Sequence, residues 1–269
     1  MSNSESSVAI GVDIGGTKIM AGCVTRVGHI LQTEQVATPS TPTAILEAVG
    51  DLCSMLQQTV GKVVGIGIGT AGMVNSASGE VIHANANLPD WTGTRFADLG
   101  FADDVLIVAE NDVRAMAYAE AILGAGQDYQ SVLCITVGTG IGGGLILNGQ
   151  IWHGATYSAG EIGYLIVDWQ DGKPRRFDRF ASGRAIEAAF QAQSKRFSGL
   201  SLVEISERAA AGNQTARRVI KQKARQFGMI LGGYVTSINP QAVVIGGGVP
   251  QIGALWWDAM EEAFCESVP

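Results

Sequence analysis

Two glycine-rich turns and one acidic tripeptide hold the clearest capacity for chemistry in this chain. VDIGGTK at residues 12–18 and TVGTGIGGG at residues 136–144 each follow an apolar run and combine glycines with a threonine. Lacking Cβ atoms, such a backbone can aim several N–H groups at one anion. Asp13, at the end of its strand, can hold waters on a magnesium ion while Gly15, Gly16 and Thr17 approach phosphates. Gly138 and Gly140 would supply amides, and Thr139 a hydroxyl, to β- or γ-phosphate oxygens. Either turn alone reads as an ordinary tight hairpin. Both in order, with a third glycine run at Gly246, Gly247 and Gly248, point to two similar halves gripping a phosphate chain.

Glu110-Asn111-Asp112 lies between a strand-like run and a helix-like run. Taken by itself, Asn111 or Asp112 is a helix N-cap. A carboxylate at the carboxyl end of a strand is also where a base for a sugar hydroxyl would sit. One such group suffices, because phosphoryl transfer depends mainly on positioning and charge neutralisation. Asn85, Asn87, His153, Glu161 and Asp178 lie in loop contexts and carry groups able to read adjacent hydroxyls, although singly each is a solvated loop residue.

Other motifs are excluded or weak. GxGxxG occurs at Gly67, Gly69 and Gly72 and again at Gly138, Gly140 and Gly143, but neither match opens a helix, so the dinucleotide reading fails. GxxxxGK[ST] is absent. His29 and His83 have no partners at ligand spacing, and Trp256-Trp257 reads as packing or a subunit contact. Lys173, Arg175, Arg176 and Arg179 form a basic cluster, read first as a solvated face and more weakly as an attractor of phosphate.

The elements that must position these residues follow from periodicity. Val8–Val12, Ile19–Thr25 and Ile30–Ala37 read as strands, followed by a helix over Thr41–Thr59 starting near Pro42. Strands are expected at Val63–Ile68 and Val105–Glu110, then a helix over Val113–Leu123. The strand, glycine turn and strand recur at 131–148, a coarse internal repeat. A further strand is expected at Gly160–Val167, helices near 182–196, 202–211 and 214–237, a strand at Ala242–Ile245 and a helix near 252–265. The boundary is set at 118/119, giving α/β domains at 1–118 and 119–269, with the last helix able to return to the first.

The 269 residues are 46% hydrophobic and 16% charged, with 36 glycines. A net charge of −7 and no basic run argue against nucleic acid or an anionic membrane as partner. The four cysteines are dispersed without a CxxC pair, which fits reduced thiols in a cytoplasmic protein. No apolar run approaches the ~20 residues that span a bilayer, and MSNSESS lacks the order of a signal peptide.

In order, VDIGGTK, GIGIGTAGMVN, NANLPDW, ENDVRAMAYAE, TVGTGIGGG, HGATYSAGEIG, ASGRAI and INPQAVVIGGG resemble the ROK family (repressors, open reading frames and sugar kinases) over roughly residues 8 to 255. The resemblance implies the actin-like ATPase fold (ribonuclease H-like), with two α/β domains and a cleft between them that closes over ATP and a hexose. It implies that Asp112 is the base for the sugar 6-hydroxyl and that Asn87, Asn111, Glu161 and the backbone around Gly72 line the sugar pocket. Asp13, Gly15, Gly16, Thr17 and Lys18 match the first phosphate motif, and Thr136, Gly138, Thr139 and Gly140 the second. Gly246, Gly247 and Gly248 match the adenosine-side motif.

The chain also departs from the family pattern. The EIGH motif reads Glu161-Ile162-Gly163-Tyr164, and the cysteine-rich zinc loop is replaced by DWQDGKPRRFDRFASG, which has no Cys or His, so a tetrahedral zinc is not expected. Asp178 stands where a sugar-contacting Glu is usual. The chain is short after the last glycine run, and no helix-turn-helix precedes Val8, which counts against the repressor branch. The expectation is a zinc-free, ATP- and magnesium-dependent hexose 6-kinase and homodimer, acting on glucose first or on N-acetylglucosamine or N-acetylmannosamine. A catalytically weak sugar sensor and an actin-like polymer former are the rivals.

Overall fold

The computed structural model describes residues 7–84, 88–101, 105–194 and 199–269. The chain forms two compact units, residues 1–119 with 154–158, and residues 120–153 with 159–269.

The first unit is built on strands β1 (Val8–Ile14), β2 (Lys18–Thr25), β3 (Ile30–Ala37), β4 (Val63–Thr70) and β7 (Leu106–Asn111), ordered β3-β2-β1-β4-β7. A small hairpin, β5 (Met73–Asn75) with β6 (Glu80–His83), leaves the end of β4. β1, β2 and β3 form an antiparallel meander, whereas β1, β4 and β7 run parallel. The parallel strands therefore bring their carboxyl ends to one edge, where Ile14 is paired with Thr70 and Thr70 with Asn111.

Helix α1 (Pro42–Val60) starts where expected. Thr41 Oγ1 accepts the Ala44 amide, and Pro42 at the first position gives up only an N–H that would have no helical partner. Its Ile45, Val49, Leu52, Cys53 and Leu56 lie on one stripe and are buried against the sheet. Helix α2 (Asp112–Leu123) begins directly on the last residue of β7.

The second unit repeats the opening of the first. β8 (Ser131–Val137) and β9 (Ile141–Leu147) form an antiparallel pair around a glycine turn, with β10 (Gln150–Ile151) beyond β9. β13 (Ala242–Gly246) runs parallel to β8 on its other side, as β4 does to β1. Between them come β11 (Ile166–Gln170), β12 (Lys173–Arg176), α3 (Phe177–Ala181), α4 (Gly183–Gln193), α5 (Leu202–Ala210) and α6 (Gln214–Ile238). α7 (Ala254–Cys265) follows β13 and packs on α6 in this unit.

One expected strand is not formed. Residues 160–167 instead make a turn, a 3-10 helix at Ile162–Tyr164 and the start of β11. Gly160 has φ +83°, outside the extended region, and a Cβ on Gly163 would collide with the Ile141 carbonyl oxygen. The segment is pressed against the β8–β9 turn and cannot extend. β11 then pairs with β12 through Asp171-Gly172, a hairpin the periodicity did not anticipate.

No helix among the described residues is long and apolar enough to cross a membrane. Cys23, Cys53 and Cys134 are buried free thiols and Cys265 is exposed. Trp256 is fully buried, with its ring 5.3 Å from Phe227, which in turn stands 5.2 Å from Phe177. Phe227→Ala should therefore cost the second unit about 3–5 kcal/mol, read as a lowered urea midpoint; a loss below about 1 kcal/mol would contradict this packing.

Candidate active site

In the first unit the predicted residues gather at the carboxyl edge of β1, β4 and β7. Asp13 pairs across to Gly69, and Gly69 to Glu110, so a glycine stands between the two acidic positions. A Cβ at Gly69 would come within 3.6 Å of the Asp112 Cα. Burial raises the Asp13 carboxyl above its ordinary value, an effect partly opposed by the positive charge of Lys18. The Gly15–Lys18 turn is closed by the Gly15 amide donating to the Lys18 carbonyl at 3.0 Å. It is braced from the end of β3 by the Thr38 hydroxyl, which donates to the Gly15 carbonyl at 2.7 Å.

Asn111 does serve as the helix cap: its Oδ1 accepts the Arg114 amide at 3.1 Å, one turn into α2. Its Nδ2 donates to the Gly72 carbonyl and to Asp112 Oδ1, each at 2.9 Å. Both Nδ2 hydrogens are thus engaged within the protein, leaving the second lone pair of Oδ1 for a ligand. Gly72 can present its carbonyl because it adopts φ +106°, where a Cβ would stand 2.6 Å from the His83 carbonyl oxygen.

Asp112 Oδ1 also accepts the Val113 amide at 2.9 Å. Its carboxyl is nevertheless pushed above the ordinary value, first by burial and then by the negative charge of Asp13; the Val113 and Asn111 hydrogen bonds pull the other way. A partly desolvated carboxylate beside a second negative charge is a strengthened base.

Beneath this pair lies a feature that sequence reasoning missed. Arg114 is 0% and Glu110 6% exposed, with Nε and Oε1 3.4 Å apart, and Glu110 Oε1 also accepts the Asn111 amide at 2.7 Å. The i,i+4 spacing was visible in the sequence; its burial was not. Losing one partner would strand a buried charge at roughly 3–5 kcal/mol, so the pair fixes the backbone under Asn111 and Asp112. Nearby, buried Trp91 donates to the Thr70 hydroxyl at 2.9 Å.

In the second unit, Thr136 lies opposite Gly246 where β8 and β13 end side by side. The turn after β8 is closed by the Gly138 amide donating to the Gly140 carbonyl at 2.9 Å. Nothing lies within 4 Å of a Cβ at Gly138, Gly246 or Gly248, so neighbouring protein does not fill that space. Gly247 adopts φ +101° against Val137, and the Val249 amide donates to the Val137 carbonyl at 2.9 Å, which locks the two glycine runs together. Thr139 is exposed at the tip. This bare backbone is a cradle of the kind that phosphates occupy.

Glu161 stands at the start of the 3-10 helix without a side-chain cap bond to it and is half-buried. Tyr164 is exposed, with the Arg176 guanidinium 4.4 Å over its ring. The basic cluster is engaged locally: Arg175 meets Asp168 at 3.5 Å and lies over Phe180, and Arg179 meets Asp178 at 3.5 Å. Asp178 Oδ1 accepts the Ile141 amide at 3.0 Å. Asn85 and Asn87 lie outside the described residues.

Residues 164–183 offer no thiolate or imidazole, so their donor chemistry does not fit a tetrahedral zinc. Among the described residues, no group of three or more His, Cys, Asp or Glu could hold a metal ion.

A family model described as the ROK family matches residues 9–268. The chain belongs to the ROK family. A glucokinase of Streptomyces coelicolor is 33% identical over 96% of this ROK chain and 87% of its own length. An N-acetyl-D-glucosamine kinase of Haemophilus influenzae is 29% identical over 96% and 88%. The crystal structure of a ROK family glucokinase from Streptomyces griseus in complex with glucose and AMPPNP superimposes with a TM-score of 0.82 at 33% identity, covering 97% of this chain and 90% of that one. The fold of this ROK protein is the actin-like ATPase fold.

The raised Asp112 carboxyl has a consequence for stability. The folded state holds this proton more tightly than the unfolded chain does, so ionisation burdens the fold. That burden is absent below the ordinary value of 3.8 and grows as pH rises toward the folded value. Asp112→Asn should therefore melt at a higher temperature than wild type at pH 7, with the gap closing as pH approaches 4. Equal or lower melting of the variant at pH 7 would contradict the desolvated placement.

Proposed function

We propose that this ROK-family sugar kinase transfers the γ-phosphoryl group of ATP to the 6-hydroxyl of a hexose, with Asp112 as general base and glucose as the lead substrate. The observation that carries the reading is the Asp112 carboxylate itself, which is oriented by Asn111 and Val113 and raised in basicity by burial and Asp13. In the proposed step Asp112 takes the hydroxyl proton as the sugar oxygen bonds to the γ-phosphorus, and the bond from that phosphorus to the bridging oxygen of ADP breaks.

Asn111, the Gly72 backbone, Asn87, Glu161, Tyr164 and Asp178 are assigned to the sugar side. Gly15, Gly16, Thr17 and Lys18 are assigned to phosphate, as are Thr136, Gly138, Thr139 and Gly140. Gly246, Gly247 and Gly248 are assigned to the adenosine side. Open space at Gly138 supports the phosphate assignment of the second turn, because an anion can approach its amide there without neighbouring protein in the way. Asp13 fits a magnesium site, since a desolvated carboxylate gains from an added cation. Magnesium carried with ATP would neutralise charge on the β- and γ-oxygens.

Glucose leads because the glucokinases compared are 33% identical to the chain and the N-acetylglucosamine kinase 29%. N-acetylglucosamine and N-acetylmannosamine are the alternatives. Domains at 1–118 and 119–269, a homodimer and a cytoplasmic setting belong to the same reading.

A coupled ADP-release assay over glucose, mannose, N-acetylglucosamine and N-acetylmannosamine tests it. Sugar-dependent ADP should be highest with glucose, and Asp112→Asn should lose about 10²–10⁴-fold in kcat while glucose binding by calorimetry persists. No sugar-dependent ADP with any of the four would remove the kinase reading, and near-normal turnover of Asp112→Asn would remove Asp112 from the base role.

A further inference from the structure

We propose that Asp178 is a positioning residue that couples the glycine turn after β8 to the turn carrying Glu161, so that nucleotide affinity and hexose occupancy change together. The inference rests on the kinase reading above and changes what Asp178 does within it: the carboxylate acts on the phosphate turn through backbone rather than by gripping sugar.

Asp178 Oδ1 accepts the Ile141 amide at 3.0 Å, across 37 residues of sequence, and a Cβ at Gly140 would lie only 2.7 Å from the same oxygen. Oδ2 faces Arg179 at 3.5 Å. The carboxylate therefore lies directly on the second half of the Gly138–Ile141 turn. Its other neighbour is the sugar-side turn. A Cβ at Gly163 would be 3.6 Å from the Asp178 Cβ and would collide with the Ile141 carbonyl oxygen. Glycine at 163 and at 140 is what lets the three segments meet.

The connection extends along the chain on both sides of Asp178. Just before it, the Phe177 amide donates to the Leu165 carbonyl at 2.8 Å, tying the start of α3 to the residue after Tyr164. Just after α3, the Gly183 amide donates to the Gly138 carbonyl at 2.8 Å and the Arg184 amide to the Thr139 carbonyl at 3.4 Å. Residues 177–184 thus hold the phosphate turn at its beginning and its end and hold the Glu161 turn at its tail. Phe177, Ala181 and Ser182 are each 0% exposed, so this bracket is anchored in the core. A ligand that shifts the Glu161 turn must shift the bracket, and the bracket sets the direction of the amides at 138–141. Such shared elements are how a coupling free energy between two ligands arises.

Two variants separate this role from direct sugar contact. Asp178→Asn keeps an oxygen that can accept the Ile141 amide, whereas Asp178→Ala removes it; Asp178→Ser, too short to reach, replaces the alanine variant should that one fail to fold. Calorimetry with magnesium AMPPNP alone should show about tenfold weaker binding in Asp178→Ala and near wild-type binding in Asp178→Asn. Saturating glucose should tighten AMPPNP in wild type and leave Asp178→Ala unchanged. In steady state, the KM for ATP should rise in Asp178→Ala by a larger factor than the KM for glucose.

Unchanged AMPPNP binding in Asp178→Ala, with only the glucose KM raised, would make Asp178 a sugar contact and overturn the proposal. Equal losses in Asn and Ala would also overturn it, since the charge and not the bond would then be at work. Wild-type AMPPNP affinity indifferent to glucose would overturn the coupling. The nucleotide arm needs no turnover, so an inactive wild type would defeat the kinase reading while the AMPPNP result still decides the contact between Asp178 and the turn.

Discussion

A carboxylate held partly out of water at the end of a strand is the constraint around which the first unit is arranged. Asp112 can occupy that place because β7 passes into α2 without a loop, and because Asn111 caps the helix while steering the carboxylate with the same side chain. Behind it, the buried Glu110 and Arg114 pair fixes the backbone from within. In front, Gly69 lies in register between Asp13 and Glu110 and beside the Asp112 backbone, and the negative charge of Asp13 acts on Asp112. Burial and Asp13 hold Asp112 above an ordinary surface acid, with the Asn111 and Val113 hydrogen bonds opposing them, and the fold bears the cost.

The second unit exposes backbone rather than a buried acid at the matching strand ends. Repeating the hairpin and parallel-strand plan of the first unit brings the ends of β8 and β13 together, and glycines at 138, 246 and 248 leave the backbone there uncovered. What keeps so bare a turn in place is the material around it: Val249 on one side, Gly183 and Arg184 on the other, and Asp178 at the far end. Next to this support, β11 pairs with β12 and the Arg176 guanidinium lies over the Tyr164 ring.

Much of this was legible in the residues. Apolar runs located β1–β4 and β7 of the first sheet and β8, β9 and β13 of the second, Thr41 and Pro42 marked the start of α1, and the tripeptide Glu110-Asn111-Asp112 marked the strand-to-helix junction. The expected strand at 160–167 failed for a reason no local pattern contains: Gly163 is pressed onto Ile141, more than twenty residues away. Asp178 illustrates the same limit. Its position beside Ile141 depends on where α3 docks, which neither periodicity nor motif spacing encodes. Arg175, Arg176 and Arg179, readable only as a basic cluster, turn out to have separate local partners.

The protonation of Asp112 is read most directly by carbon-13 NMR titration of its labelled carboxyl, without recourse to activity. The midpoint should lie above the ordinary value of 3.8 in the wild type and move downward in Asp13→Asn, which removes the neighbouring charge. A midpoint at or below 3.8, or one indifferent to Asp13, would mean that the carboxylate is neither desolvated nor paired as described, and the base assignment would lose its physical ground.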